Sequence, residues 1–441
     1  MCFSALADVI FISECVNSHA ALPWCSLGRD YLRPESRAVR RFARGATWRM
    51  VLSRCEMFSE RTNWKLTPNR YTQAREEMRA SGTELIDLTV SNTTECGLHY
   101  DSAAILGAFQ NAKALGYEPE AKGLLAAREE VARYYREDHE ETVDPESVLL
   151  TTSTSEAYSY VFRLLCNAHD EVLVPTPSYP LFDFLGDLQD VTLIRYQLHY
   201  AQGWFVDFDS VLAALTPRTR AILLVHPNNP TGSFVKSEEV ARLNKLCRER
   251  GLALIVDEVF LDYSLDGAPR RTFVANRDAL TFTLSGLSKI AALPQMKVAW
   301  MVTTGPETLV RPALERLEII ADTYLSLSSV TQWAFPKLFE QRKSLQPQLQ
   351  DRVRENWSYL KSAVNGKAGC ELLDTEGGWY AVLRVAGDRS DEDLAIEIMK
   401  NAHVLVHPGH FYEFPSDGHL VVSLIVSRFH QGISALLGLM G

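Results

Sequence analysis

Leu280-Thr-Phe-Thr-Leu284 alternates and is rich in β-branched residues, which predicts a strand, and Ser285-Gly-Leu-Ser-Lys289 follows it directly. Lys289 then lies just past the carboxyl end of a strand. In an open parallel sheet that is where ligands bind. A lysine there acts as a point charge for an anion or as an amine nucleophile toward a carbonyl. Taken alone it reads as an ordinary surface charge. Two neighbouring segments change that reading. Ala221-Ile-Leu-Leu-Val225 is a continuous apolar run, as in a buried parallel strand, and it ends in the turn-rich His226-Pro-Asn-Asn-Pro-Thr-Gly232. Ser237 then suits an N-cap, with Glu238 and Glu239 in the first helical turn. Val240, Leu243, Leu246 and Cys247 repeat at helical spacing, and Gly251 ends the helix. Leu252-Ala-Leu-Ile-Val256 is the next apolar strand, and it delivers Asp257. This strand–helix–strand unit places Asn229 and Asp257 at neighbouring strand ends, with Lys289 at a third.

An amide, a carboxylate and a lysine at one sheet edge suggest pyridoxal phosphate. The lysine holds the aldehyde as a Schiff base, the carboxylate keeps the pyridine nitrogen protonated, and the amide donates to the phenolic oxygen. Another anion site is predicted nearby. The strand Val148-Leu-Leu-Thr-Thr152 turns through Ser153, Thr154 and Ser155 into a helix, and free N–H groups at a helix start attract phosphate.

Asn229-Pro-Thr-Gly, Asp257-Glu-Val-Phe260 and Ser285-Gly-Leu-Ser-Lys289, in that order and with a basic residue eight positions after the lysine, resemble the signature blocks of the class I/II aminotransferases. These are fold-type I pyridoxal-phosphate enzymes. The resemblance runs from about residue 80 to the C-terminus. It implies an α/β fold: a large domain with a mostly parallel, seven-stranded-type sheet flanked by helices, and a smaller α/β domain made from the N-terminal arm and the C-terminal segment. Residues 57–104 would be the arm, 105–335 the large domain and 336–441 the small domain. The resemblance also assigns residues. Tyr179, in Pro175-Thr-Pro-Ser-Tyr179-Pro, would stack on the cofactor ring. Ser288 and Lys297 would contact the cofactor, Lys297 standing where an arginine is usual. Tyr117 would reach the phosphate of a neighbouring subunit, so the enzyme would be a homodimer with shared sites. Asn92, after the strand Glu84-Leu-Ile-Asp-Leu-Thr-Val90, would touch the substrate.

Two departures from the pattern bear on function. Phe260 stands where a tyrosine usually bonds the phenolic oxygen, leaving Tyr263 as the substitute donor. Val421, in His419-Leu-Val-Val-Ser-Leu-Ile-Val426, stands where an arginine usually clamps the substrate carboxylate, leaving Arg428 as the candidate clamp. The leading expectation is an aminotransferase acting on an amino acid and a 2-oxo acid by a ping-pong mechanism, with Lys289 and Asp257 catalytic. The rivals are a β-lyase on the same cofactor and a non-catalytic cofactor-binding regulator.

Composition bounds the rest. The 441 residues suffice for two domains with proper cores, and a net charge of −10 argues against a general nucleic-acid binder. No apolar run reaches the roughly 18 residues of a membrane span. Eight cysteines show no metal or CxxC pattern and read as reduced thiols of a cytoplasmic protein. Residues 1–56 differ in character, with eight arginines, no lysine, five acids and poor periodicity. They read as a loosely packed extension, with Met57 a plausible natural start.

Overall fold

The computed structural model describes residues 57–440. The expectation for residues 1–56 lies outside them. The arm opens with a helix, Arg70–Ala80, capped by the Asn69 side chain. It continues into β1 (Ile86–Asp87). The large sheet then takes up β2 (Val148–Thr151), β3 (Glu171–Thr176), β4 (Thr192–Tyr200), β5 (Trp204–Val206), β6 (Thr219–Val225), β7 (Ala253–Asp257), β8 (Thr281–Gly286) and β9 (Ala299–Thr304). Its order is β2-β9-β8-β7-β6-β3-β4-β5. The run β8-β7-β6-β3-β4 is parallel, and β9 lies antiparallel to both its neighbours. The expected seven strands are thus present. The eighth, β5, is a three-residue strand folded back antiparallel on β4.

Burial explains the central strands. Every residue of β7 and β8 is buried, because helices cover both faces, so these segments read as continuous apolar or small runs. Strand β8 runs two residues further than the alternation predicts. Ser285 and Gly286 pair with Trp300 and Ala299 of β9. Gly286 has to be glycine for space, since a Cβ there would sit 2.9 Å from the Ala299 Cβ. The helix Ser237–Arg250 ends at Gly251 in the left-handed conformation, as expected. Its start differs from expectation. Ser237 is the first helical residue, and the cap comes from Glu239, whose carboxylate accepts from the N–H groups of Lys236 and Val206, each at 2.7 Å.

The small domain holds β10 (Cys370–Leu372), β11 (Tyr380–Val385), β13 (His407–Pro408) and β14 (His419–Ser423) in the antiparallel order β10-β11-β14-β13. The arm joins it through β1, which pairs in parallel with β12 (Val404–Leu405). Main-chain hydrogen bonds lace the small domain to the large one. Glu376 and Gly377 N–H donate to Gly232 O at 3.2 and 2.9 Å, Gly378 N–H to Tyr263 O at 2.8 Å, and Ser178 N–H to Tyr412 O at 2.9 Å.

Candidate active site

Strands β6, β7 and β8 stand side by side, with Val225 opposite Asp257 and Asp257 opposite Leu284. Their carboxyl ends therefore deliver the Asn229 turn, Asp257 and Lys289 to one edge. Lys289 sits in the single helical turn Leu287–Ile290 and is 1% exposed. Its Nζ donates to Ser91 O at 3.4 Å and lies 4.5 Å from the Trp379 ring centroid and 5.6 Å from that of Phe260. The two rings and its burial shield this amine from bulk water at the sheet edge.

Asp257 is also buried. Its Oδ2 accepts from Tyr158 O–H at 2.9 Å and its Oδ1 from Val259 N–H at 3.0 Å. Burial pushes its pKa up to about 6, while those two donors and the Lys289 charge pull it down. The neighbouring Glu258 is pushed up to about 7 by burial and accepts from Thr272 Oγ1 and Phe273 N–H, each at 2.6 Å. Glu258 therefore anchors the 272–273 loop, and Asp257 alone of the two contacts a group from the helix Thr154–Leu165. We expect Tyr158→Phe to raise the Asp257 pKa by about one unit, the worth of one hydrogen bond to a charged acceptor. The midpoint of the pH dependence of cofactor affinity should move up with it, as read by equilibrium dialysis between pH 5 and 8. An unmoved midpoint would show that Tyr158 only fills space.

Asn229 is buried, and its Oδ1 has no hydrogen-bond partner. Beside it Asn228 holds the turn together, its Nδ2 donating to Pro177 O at 3.1 Å and Thr231 Oγ1 at 2.9 Å. His226, which opens the turn, is pushed down to about 4 by burial. It stays neutral, its Nδ1 accepting from Val235 N–H and its Nε2 donating to Arg271 O.

The helix Thr154–Leu165 starts at the expected turn, with Ser153 as N-cap accepting from Glu156 N–H. The Glu156 carboxylate fills part of that turn, accepting from Thr152 N–H at 2.7 Å and Thr152 Oγ1 at 3.0 Å. The N–H groups of Thr154 and Ser155 open the helix without intrahelical partners. Tyr179 is buried and packs edge-on to Phe182, which in turn packs edge-on to Tyr158. That chain of rings brings Tyr179 to the Asp257 neighbourhood. Ser288 is half-buried beside Lys289. Lys297 is half-buried in the left-handed conformation, φ 54°. Tyr117 is 76% exposed and lies apart from these groups, with Tyr160 and Ser326 around the same surface cavity.

Three expectations are corrected. Arg428 is committed to other partners: it pairs with Glu84, and its Nε donates to Gln431 Oε1 at 3.1 Å. It begins the turn before the last helix, where strand β14 has already ended. Asn92 satisfies its own turn, accepting from Thr94 N–H and Oγ1 and donating to Glu95 Oε1 at 2.7 Å. The atom that meets Lys289 is instead the main-chain oxygen of Ser91. Tyr263 is not a spare donor, because its hydroxyl donates to the main-chain oxygen of Lys289 at 2.6 Å. Trp379 is signalled in the sequence only as one of several aromatics hinting at an apolar pocket and Ser91 only as part of the turn of Asn92, while Tyr158 carries no sequence signal for this site, since it reaches it only through tertiary packing.

These residues fit pyridoxal phosphate. A buried amine, a buried acid beside a phenol donor, a buried amide able to donate through its Nδ2 and the opening of a helix match its aldehyde, ring nitrogen, phenolic oxygen and phosphate. Among the described residues no group of three or more His, Cys, Asp or Glu side chains could hold a metal ion. No helix among them is long and apolar enough to cross a membrane.

Comparison with known proteins agrees. The model of the family "Aminotransferase class I and II" matches residues 84–427. The glutamate-pyruvate aminotransferase AlaA of Escherichia coli K12 is 25% identical over 349 residues, covering 78% of this chain and 86% of that protein. An alanine aminotransferase of Mycobacterium tuberculosis is 26% identical over 361 residues, covering 80% of this chain and 84% of that one. The solved alanine aminotransferase from Pyrococcus furiosus shares the fold, with a TM-score of 0.76 at 20% identity over 84% of this chain and 95% of that one. The chain therefore belongs to the class I and II aminotransferases: it is a pyridoxal-phosphate-dependent enzyme that moves an amino group between an amino acid and a 2-oxo acid.

Proposed function

We propose that Lys289 and Asp257 carry the transfer, within a large domain near residues 105–335 flanked by the arm (57–104) and a small domain (336–441). The observation behind this reading is the convergence of a buried amine, a buried acid and a buried amide on three adjacent strand ends. Lys289 would hold the aldehyde carbon of the cofactor, Asp257 its ring nitrogen, Asn229 its phenolic oxygen and Tyr179 one ring face. The turn of Ser153, Thr154 and Ser155 would hold the phosphate with Ser288 and Lys297. Bound pyridoxal phosphate supplies a conjugated ring that accepts the electron pair left when a Cα proton departs. Lys289 Nζ, displaced by the incoming amine, takes that proton and later returns one. Its burial beneath Trp379 and Phe260 keeps water from the exchange.

Loading the protein with pyridoxal phosphate and adding amino acids one at a time tests the reaction. A stoichiometric 2-oxo acid with no ammonia is the expected product of the first half. Ammonia released with the oxo acid would instead assign the protein to elimination chemistry.

We also read the enzyme as a homodimer. Tyr117 lies exposed beside Leu115 and near Leu325, an apolar group facing outward that a second copy could cover while bringing Tyr117 to its phosphate turn. Mixing inactive Lys289→Ala with a weakened Tyr117→Ala should regenerate one native site per hybrid dimer, about a quarter of all sites in an equal mixture, given shared sites. No gain on mixing would remove the shared-site reading. A cytoplasmic setting is consistent with the described cysteines, all of which are free thiols.

A further inference from the structure

The clamp for the substrate carboxylate is missing from its expected strand position. Val421 is fully buried and pairs with Val382 and His407 across the sheet. A valine offers no donor, and Arg428 is committed to Glu84 and Gln431. A different donor stands beside the reactive amine. Trp379 is 0% exposed, its ring centroid lies 4.5 Å from Lys289 Nζ, and its indole N–H has no hydrogen-bond partner. A buried tryptophan N–H ordinarily finds an acceptor, so an orphaned one in a reaction site marks where a ligand atom belongs.

The indole cannot easily turn to find a protein partner. Phe260 and Tyr263 pack edge-on against it, with centroids 4.8 and 5.2 Å away. Its backbone is fixed on both sides: Trp379 O accepts from Leu424 N–H at 2.7 Å, and Gly378 N–H donates to Tyr263 O at 2.8 Å. An indole N–H is a donor only, so its ligand must present an acceptor oxygen. The cofactor's polar ends are met elsewhere, by Asp257, Asn229 and the 153–155 turn. The acceptor left over, bonded to the carbon whose amine Lys289 handles, is the carboxylate of the amino acid. Ser423, two residues along the same strand face from Val421, adds a fully buried hydroxyl with no partner.

We propose that Trp379, through its indole N–H, recognises the substrate carboxylate in this chain, so that carboxylate binding depends on an uncharged donor in place of a strand-borne arginine. This deepens, and rests on, the transfer reading above. An uncharged donor discriminates charge weakly. The site would therefore take amino acids and their α-amides within about 10-fold of each other in kcat/KM, and would favour an amino acid over the matching amine without a carboxylate by about 10–100-fold, the worth of one hydrogen bond to a charged acceptor.

The test compares L-alanine with ethylamine and L-phenylalanine with 2-phenylethylamine on the pyridoxal-phosphate-loaded enzyme and on Trp379→Phe. Equilibrium binding of 2-methylalanine, which carries the carboxylate but no Cα hydrogen, is measured by calorimetry on both. The expected result is that Trp379→Phe raises KM for the amino acid about 10–100-fold, closes its advantage over the amine and weakens 2-methylalanine binding by a similar factor. Replacing Trp379 by 3-benzothienylalanine, which keeps the ring shape and removes only the N–H, should do the same, and it serves if the phenylalanine variant does not fold. Equal losses for acid and amine, or no loss in 2-methylalanine binding, would overturn the assignment while leaving transamination intact. If the native enzyme binds 2-methylalanine through Trp379 but turns over no donor, the transfer reading fails and the carboxylate assignment stands.

Discussion

Replacing Lys289 with alanine is expected to lower kcat by at least about 10⁴, the upper range for a general acid–base group, because the same atom also anchors the cofactor. The substitution removes three things together. In the reading proposed above it takes away the amine that holds the aldehyde, the base at Cα and the charge that lowers the Asp257 pKa. Cofactor should still be retained in part, through Asp257, Asn229 and the 153–155 turn, but it should dialyse away. Added methylamine should restore a small fraction of turnover by replacing the base, a response that a misfolded protein would not give. Stability should change little or improve. The native lysine is buried beneath two aromatic rings, where the charged form carries a desolvation penalty. A variant that turned over amino acids at more than a hundredth of the native rate would show that another group carries the proton.

Asp257→Asn is the second large effect, expected at about 10²–10³ in kcat, typical of losing one preorganised charge in a water-excluded site. The amide keeps the shape but has one acceptor oxygen: it can accept from Val259 N–H while its Nδ2 donates to the Tyr158 hydroxyl oxygen. It cannot supply the negative charge that holds a proton on the ring nitrogen. Stability should move the other way from activity, upward. The carboxyl of the folded apoprotein has its pKa raised to about 6, above the ordinary value of 3.8. The unfolded chain therefore gives up its proton first as pH rises. The apoprotein loses stability between about pH 4 and 6 and does not regain it above 6, by roughly 2–3 kcal/mol for a shift of this size. Asp257→Asn should escape that loss, so the variant apoprotein should melt higher at pH 7.5 and no higher at pH 4. Calorimetry at the two pH values checks this. A residue that stabilises the protein when removed, and is needed for turnover, is held for its chemistry.

Much of this was legible in the chain because it is local. The strand before Lys289, the strand before Asp257 and the turn at Asn229 each declare themselves within ten residues, and parallel strands must be buried, so their apolar runs are unambiguous. What failed to show were partners chosen by tertiary contact. Glu239 rather than Ser237 caps its helix because its carboxylate also reaches Val206 on a different strand. Tyr263 stands in the right loop to meet a cofactor oxygen, but its hydroxyl is taken by the backbone of Lys289. Arg428 follows strand β14 at a spacing that permits a return to the site, and Glu84 of the arm draws it outward. Tyr158 looks like any core position of an amphipathic helix, and only the fold sets its hydroxyl on Asp257.

The lacing of the two domains has a mechanical consequence. The 376–378 segment is bonded through its backbone to Gly232 and Tyr263, and it leads straight into Trp379. The small domain is therefore not a flap that can swing by itself. A rotation either breaks several main-chain bonds at once or drags along the turn that carries Asn229. With Trp379 meeting the substrate and Asn229 the ring as proposed, a load on the indole would reach the turn three residues before Gly232 through these main-chain bonds, and gripping the substrate and tilting the ring would be two ends of one lever.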